Sequence, residues 1–255
     1  MAVPRLVGLV DGPASITLVR HGESAGNLAD ADARSREAEE LDLETRDADV
    51  ELSDQGRDQA AVLARYLADV AEPDRPTLVL TSPYRRAADT ASIAVAGSGI
   101  DVVVDERLRE RDLGLFDGLT GHGIRARYAD EAKRRERVGK FYYQPPSGES
   151  WADVVLRVRS LLADLRHGFE DARIWMFTHQ AVIMSFRYVL EGLSEPDLLE
   201  IDRTSNIANA SLTTYRRSDE GLELLDFADT SLVDAAAADV THEAPVTGDA
   251  ERARA

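Results

Sequence analysis

The chain has 255 residues, 44% of them hydrophobic, so it can bury a substantial core as one domain, although two small domains remain possible. It has no cysteine, which excludes disulfides, thiolate metal sites and a cysteine nucleophile. Its formal net charge of −17 argues against nucleic acid and anionic membranes as partners, because both need a positive surface.

The N-terminal stretch is apolar but short, and Pro4, Gly8 and Gly12 interrupt it, which disfavours a signal peptide. Every apolar run of the sequence is far shorter than the roughly 20 residues that span a bilayer. We therefore expect a soluble protein located in the cytoplasm.

Short β-branched runs alternate with longer segments of helical periodicity. The predicted strands, of which the first, second and fourth are nearly continuous in apolar residues as buried strands are, cover residues 16–20, 77–82, 101–108 and 174–179. The predicted helices cover residues 53–70, 83–96, 149–169 and 180–190. A polar turn containing Gly221 joins two later runs, 210–218 and 222–229, which predict a hairpin. This order predicts an α/β fold with three layers, α/β/α, around a mostly parallel central sheet.

The segment 28–51 has no clear periodicity and is strongly acidic. Residues 30–51 hold ten acidic and three basic side chains. This composition predicts a long loop or a weak helix, which is either a solvated flap or a segment that gates access of the substrate.

The last part of the chain differs in composition from the rest. From residue 233 onward Ala, Asp, Glu and Pro dominate, and large apolar residues are almost absent. Such a segment cannot bury enough apolar surface to order itself. We therefore predict one domain over residues 1–232 and a disordered tail, acidic and rich in alanine, over residues 233–255.

Charged side chains follow each predicted strand. The first strand ends at Arg20 and His21, the second is followed by "SPYRRAADTA" with Arg86, the third by "RERDLGLFDG" with Glu110, and the fourth ends at His179. In open α/β sheets ligands bind outside the carboxyl ends of the strands, so these groups are expected at one edge. Arginine suits phosphate, and a neutral histidine can attack phosphorus. The pattern therefore indicates phosphate chemistry.

These residues also lie in recognisable motifs. The stretch "RHGESAGN" resembles the R-H-G-E-S-x-x-N signature of the histidine phosphatase superfamily, the clan of phosphoglycerate mutases and acid phosphatases. The segments "SPYRRAADTA", "ERDLGLFDG" and "TH" resemble its later motifs in the same order. The resemblance covers roughly residues 16–215 and implies a phosphoglycerate mutase-like fold.

The resemblance implies a catalytic role for two residues. His21 would attack phosphorus to give a phosphohistidine, which water then hydrolyses. Glu110 would protonate the leaving oxygen and afterwards activate the water. Because Glu110 lies in a run of charged residues, a solvated surface position is the structural alternative.

Two arginines and a histidine would bind the phosphoryl oxygens. The resemblance assigns this role to Arg20, Arg86 and His179. Asn27, at the end of the signature, would add a neutral donor, and its structural alternative is to cap a helix. The resemblance implies no metal and no other cofactor, since arginines supply the positive charge.

Further candidates for substrate binding lie outside these motifs. Gln180 follows the second histidine and stands where many members of the clan carry glycine. Tyr142 and Tyr143, in "GKFYYQPPSGES", offer aromatic faces and hydroxyls suited to a sugar or a nucleotide. Packing of this segment onto the domain is an equal alternative.

The segment after the signature separates two activities of the clan. Mutases carry tryptophans there in W-N and F-x-G-W stretches, whereas this chain has "GNLADADARSREAEE". The difference favours hydrolysis, so we predict a metal-independent phosphomonoesterase acting on a small phosphorylated metabolite, in a chain that could form a homo-oligomer. The alternatives are a cofactor-dependent, phosphoglycerate mutase-type phosphotransferase and a catalytically weak protein that binds a phosphorylated ligand or serves as a scaffold.

Overall fold

The computed structural model describes residues 12–236 and 239–242. Six strands of this part form one sheet: β1 (Ser15–Arg20), β2 (Leu78–Thr81), β3 (Val102–Val104), β4 (Arg173–Thr178), β5 (Leu212–Ser218) and β6 (Gly221–Asp229). Their spatial order is β3-β2-β4-β1-β5-β6. The first four pair in parallel, and β5 is antiparallel to both β1 and β6, so the predicted mostly parallel sheet is confirmed.

Helices cover both faces of the sheet. In the described part of the chain they are α1 (Ala25–Ser35), α2 (Asp54–Asp69), α3 (Arg85–Ala94), α4 (Gly121–Arg127), α5 (Ala129–Val138), α6 (Trp151–Asp164), α7 (Gln180–Glu191), α8 (Glu195–Thr204) and α9 (Ser231–Ala235). Side chains of α6, α7 and α8 pack on one face of the sheet, and side chains of α2, α3 and α9 pack on the other. The predicted three-layer arrangement is therefore confirmed.

The alternation of side chains along the central strands builds the two cores. In β4, Ile174 and Met176 point into the core with α6 and α7, whereas Trp175 and Phe177 point into the core with α2 and α3. All four are buried. A strand with apolar residues on both faces needs a helix layer on each side, which explains the continuous apolar runs in the sequence.

The predicted elements differ from the structure in three places. The run 101–108 is a strand only over β3, because the Asp105 side chain accepts a hydrogen bond from the Arg107 amide and starts a 3₁₀ turn, Glu106–Leu108. Within 28–51, α1 extends the signature as a helix and a loop follows it. The helices α4, α5, α8 and α9 were not predicted; α5 buries no residue and its sequence carries no apolar stripe.

The predicted tail can be compared with the structure over residues 233–236 and 239–242. There the chain contacts the domain: Val233 is fully buried, and the Gln59 side chain donates to the Asp239 carbonyl and to Thr241 Oγ1, both at 2.9 Å. This differs from the disorder predicted for these residues, because one apolar side chain and a buried amide supply contacts that composition does not reveal. Residues 243–255 lie outside the described residues.

Among the residues that the structure describes, no helix has both the length and the apolar character needed to cross a bilayer.

Candidate active site

His21 follows β1 directly, at the carboxyl edge of the sheet. Its side chain is 3% exposed, and Nδ1 lies 2.7 Å from the Gly22 carbonyl oxygen. A carbonyl only accepts, so Nδ1 carries the proton and the lone pair of the ring is on Nε2. Gly22 can take this position because it has no Cβ, which would lie 2.5 Å from the Gly56 carbonyl oxygen.

The same ring is kept neutral by its surroundings. Burial, followed by the charges of Arg86 and Arg20, holds the pKa of His21 well below its usual value. Nε2 accepts a hydrogen bond from Arg86 Nε at 3.3 Å. His21 therefore presents a neutral nitrogen lone pair beside a permanent cation.

His179 faces His21 because β4 lies next to β1. The two strands pair in parallel, the His21 amide donates to the Thr178 carbonyl at 3.0 Å, and the two ring centroids are 5.1 Å apart. His179 is fully buried, and its Nε2 lies 2.8 Å from Ser82 Oγ. Burial and then the charge of Arg86 hold the pKa of His179 well below its usual value.

One nitrogen of His179 is without a hydrogen-bond partner among the described residues. Nδ1 is buried and makes no hydrogen bond to any described residue. Buried polar atoms are nearly always satisfied, so such an atom is suited to a ligand oxygen. The first amides of α7, which begins at the next residue, lie at the same edge.

Two buried arginines supply the positive charge of the site. Arg20 ends β1, is fully buried, and donates to the Ile207 carbonyl oxygen. Arg86 lies in the first turn of α3, is 6% exposed, and has its guanidinium carbon 5.2 Å from the centre of the Tyr84 ring. Guanidinium groups stay charged when buried, so both arginines favour an anion here.

An acidic side chain binds the outer nitrogens of Arg86. Asp47 lies in the 3₁₀ turn Asp47–Asp49, within the acidic segment that follows α1. Arg86 Nη1 donates to Asp47 Oδ1 at 2.8 Å and to its carbonyl oxygen at 2.7 Å, and Nη2 donates to Oδ2 at 3.3 Å. The carboxylate thus offers Arg86 the paired oxygens that a phosphoryl group would offer.

Glu110 lies on the loop that leads away from β3, at the same edge. Thr178 Oγ1 donates to the Leu108 carbonyl at 2.8 Å, which ties this loop to the end of β4. Glu110 Oε1 accepts from the Arg111 amide at 2.7 Å. Burial, then Asp47 and smaller charges that include Glu110, raise the pKa of Tyr84 to about 12, and the Tyr84 ring lies 5.3 Å from that of His179. The structure thus brings the five proposed catalytic residues to one edge.

Asn27 completes the N-terminal capping box of α1, in which Ser24 is the N-cap residue. Its Oδ1 accepts from the Ser24 amide and from Ser24 Oγ, both at 3.0 Å, while Ser24 Oγ accepts from the Asn27 amide. Asn209 Nδ2 donates to the same oxygen at 3.3 Å and to the His21 carbonyl at 3.1 Å. The cap is the structural alternative given for Asn27, and its role as a donor to substrate stays a prediction.

The other substrate-binding candidates lie in different surroundings. Gln180 is the first residue of α7 and is half-buried. Tyr143 is 4% exposed, and its hydroxyl donates to Glu131 Oε2 at 2.9 Å, which is the packing alternative. Tyr142 is 58% exposed, and its ring packs edge-on against Phe141.

Several residues at the site were not singled out in the sequence. Ser82 and Tyr84 lie inside a quoted motif at a strand end, so their position could have indicated them. Asp47 is one of ten acids in its segment, and Asn209 lies in an irregular stretch before β5, so neither has a distinguishing pattern. Long-range pairing alone reveals them.

Two neutral histidines face each other beside two buried arginines, at the carboxyl edge of the mostly parallel sheet. The molecule is therefore an α/β protein with a candidate site for phosphoryl transfer. Within the described part of the chain, no group of three or more His, Asp or Glu side chains is arranged to hold a metal ion. The chain belongs to the histidine phosphatase superfamily (branch 1), whose sequence profile matches residues 16–230.

Similar sequences fall into partial and nearly complete matches. A bifunctional protein of Mycobacterium tuberculosis is 34% identical over 147 residues, which are 55% of this chain and 38% of that protein, so the chain spans well under half the length of that relative. A glucosyl-3-phosphoglycerate phosphatase of Mycolicibacterium vanbaalenii is 29% identical over 218 residues, 80% of this chain and 86% of that protein.

Solved structures with the same fold include a mycobacterial glucosyl-3-phosphoglycerate phosphatase in complex with VO3. It is 28% identical with a TM-score of 0.62, and the match covers 84% of this chain and 98% of that one. YhfR of Bacillus stearothermophilus is 25% identical with a TM-score of 0.66, covering 86% of this chain and 98% of that one.

Proposed function

We propose that the protein is a metal-independent phosphomonoesterase that passes the phosphoryl group of a small phosphorylated metabolite to His21 and then to water. The observation that carries the proposal is the state of His21. The Gly22 carbonyl fixes the proton on Nδ1, burial and the arginines keep the ring neutral, and the lone pair of Nε2 lies beside Arg86. A histidine nucleophile needs a neutral ring with a lone pair on the attacking nitrogen, and the neighbouring arginine can bind the phosphoryl oxygens.

The first half of the reaction forms a phosphohistidine. His21 Nε2 attacks phosphorus in line, the N–P bond forms, and the ester P–O bond breaks. The leaving oxygen takes a proton from the Glu110 carboxyl. The imidazole ring becomes positive while Nδ1–H keeps its hydrogen bond to the Gly22 carbonyl, which stabilises that charge.

The second half returns the enzyme to its starting state. A water molecule attacks phosphorus, the Glu110 carboxylate takes its proton, and the N–P bond breaks. Inorganic phosphate leaves, His21 is neutral again, and Glu110 is protonated. Arg20, Arg86 and His179 would contact the non-bridging oxygens in both halves, so the charge they supply is in place before the substrate arrives.

The similar proteins support a phosphatase reaction, and their substrate suggests a substrate class for this chain by analogy. Relatives named glucosyl-3-phosphoglycerate phosphatase act on a phosphate ester of a sugar acid. We propose an organic phosphate monoester of similar size as the substrate class for this chain. Phosphoryl return to a second hydroxyl, as in a mutase, is disfavoured by the missing tryptophan motifs.

The test is phosphate release from p-nitrophenyl phosphate, sugar phosphates and phosphoglycerates, with a chelator present. His21→Ala is expected to abolish release, whereas His122→Ala, which removes an exposed histidine of α4, is expected to leave it unchanged. Rapid acid-free quenching should show a base-stable, acid-labile phosphorus adduct in the wild type alone. Release that persists in His21→Ala would contradict the proposal.

The same assay separates the alternatives. Movement of labelled phosphate between substrate hydroxyls without release would indicate a mutase. Binding of phosphate without turnover of any substrate would indicate a phospho-ligand binding protein. Millimolar vanadate, which copies the five-coordinate transition state, is expected to inhibit, and insensitivity to it would count against in-line attack.

A further inference from the structure

Glu149 and Arg157 form a largely buried ion pair beside the loop that carries Glu110. Glu149 lies immediately before the N-cap of α6, and Arg157 lies in the middle of that helix. Arg157 Nε donates to Glu149 Oε1 at 3.1 Å, and Nη2 donates to Oε2 at 3.2 Å. The two side chains are 14% and 9% exposed, so solvent and salt screen the pair weakly.

This pair holds the main chain on both sides of Glu110. Arg157 Nη1 donates to the Arg107 carbonyl at 2.5 Å, and Nη2 donates to the Glu110 carbonyl at 3.2 Å. Glu149 Oε2 accepts from the Asp112 amide at 3.1 Å. Arg157 therefore contacts the peptide unit of Glu110 itself, and Glu149 contacts the amide two residues further on.

Other contacts attach the same loop to the domain without Arg157. Thr178 Oγ1 donates to the Leu108 carbonyl at 2.8 Å. The Glu149 amide donates to the Asp112 carbonyl, also at 2.8 Å. Because these anchors remain when the guanidinium is removed, the loss of Arg157 would release the peptide of Glu110 rather than detach the loop.

We infer that Arg157 and Glu149 are positioning residues that fix the direction in which the Glu110 carboxyl presents its proton. The inference rests on the proposed function, in which Glu110 protonates the leaving oxygen. It assigns a role to the last part of "PSGES", which the sequence motifs of the reaction do not include.

A displaced general acid has a kinetic signature that general structural damage lacks. A p-nitrophenolate leaves without a proton, whereas a phenolate or an alkoxide needs one. Misplacing Glu110 therefore slows substrates with basic leaving groups selectively. Loss of folded protein or of phosphate binding instead lowers the rate for every substrate by the same factor.

The experiment compares kcat/KM for p-nitrophenyl phosphate, phenyl phosphate and an alkyl phosphate. The variants are Arg157→Gln, Arg157→Lys and Glu110→Gln, with Arg107→Gln as the matched control. Arg107 is an arginine of the same loop whose side chain pairs with Asp105 and Asp164 instead. Thermal unfolding checks that each variant is folded, and Glu149→Gln replaces Arg157→Gln if that variant is not.

Arg157→Gln is expected to lose about tenfold or more on phenyl phosphate and less than about threefold on p-nitrophenyl phosphate, in the direction of Glu110→Gln. Arg157→Lys keeps the charge but not the fork of donors, so it should fall between Arg157→Gln and the wild type. Arg107→Gln should keep the wild-type ratio.

Equal losses on all substrates, or a wild-type ratio in Arg157→Gln, would overturn the inference. A wild-type ratio in Glu110→Gln would overturn it as well, while leaving the phosphohistidine route intact. Turnover that survives in His21→Ala would instead show that the proposed function itself fails.

Discussion

Removal of the Asp47 carboxylate should strengthen phosphate binding. In the structure this carboxylate takes the outer nitrogens of Arg86, which a phosphoryl group would also use. A phosphate that binds these nitrogens must therefore displace Asp47 from that arginine. We expect Asp47→Ala to lower the inhibition constant of inorganic phosphate and the KM for p-nitrophenyl phosphate.

The size of the effect follows from the exposure of the two side chains. Arg86 is buried, whereas the Asp47 side chain is 40% exposed. The interaction free energy of the pair is thus expected between that of a surface ion pair, about 0.2 to 1 kcal/mol, and that of a charge-assisted hydrogen bond, about 1.5 to 3 kcal/mol. A value of about 1 to 2 kcal/mol changes the fraction of available Arg86, and hence the apparent affinity, by about 5- to 30-fold.

Competitive inhibition by inorganic phosphate, measured with p-nitrophenyl phosphate as the substrate, tests this expectation. Asp49→Ala is the matched control, since Asp49 lies in the same turn but pairs with Arg46, and both of those side chains are exposed. An inhibition constant that is unchanged or higher in Asp47→Ala would refute the reasoning. So would an equal decrease in Asp49→Ala, because it would trace the effect to the negative charge of the loop.

Three further predictions concern pH, backbone packing and the tyrosines. Burial lowers the pKa of His21 in the folded state, so the unfolded state binds the proton preferentially once the pH falls below the unfolded pKa of about 6.5, and the protein loses stability. Urea unfolding should show that the free energy of unfolding falls by up to about 2 kcal/mol less in His21→Gln than in the wild type between pH 7 and pH 5. Equal losses in the two proteins would contradict the burial of a neutral ring. Gly22→Ala places a Cβ 2.5 Å from a carbonyl oxygen of α2 and should lower the free energy of unfolding, measured in urea, by about 1 to 3 kcal/mol. Gly26→Ala is the control, because its Cβ meets its nearest atom at 3.4 Å and the substitution should be neutral or stabilising. Equal stability of the two variants would disprove the steric argument. Tyr143→Phe should lose about 1 kcal/mol with its hydrogen bond to α5 and keep the wild-type KM, and a raised KM would favour substrate contact instead.

Local sequence was sufficient to predict the elements that carry the two histidines proposed to be catalytic. The apolar runs before His21 and His179 are short, nearly continuous and buried on both faces, which is the pattern of a strand inside a parallel sheet. Parallel strands end at one edge, so residues that follow them could be assigned to one site before their distances were known. The helix α5 was missed for the opposite reason, because it buries no residue and has no apolar stripe.

Local sequence was not sufficient for contacts that join distant segments. Asp47 reaches Arg86 across 39 positions, and Glu149 reaches Arg109 across 40. An acidic side chain in a loop has the same sequence signal whether it is solvated or bound to an arginine, so the acidic segment could not reveal which of its ten acids binds Arg86.

By itself, the sequence determined the α/β alternation, the motifs at the strand ends and the class of chemistry that they indicate. The tertiary structure decided that β4 lies between β2 and β1, which brings the two histidine rings to 5.1 Å. It also decided which nitrogen of His21 carries the proton and which carboxylate binds Arg86. The physical reason is that apolar periodicity reports burial along one segment, whereas charge, tautomer and pKa depend on groups that the fold brings from other segments.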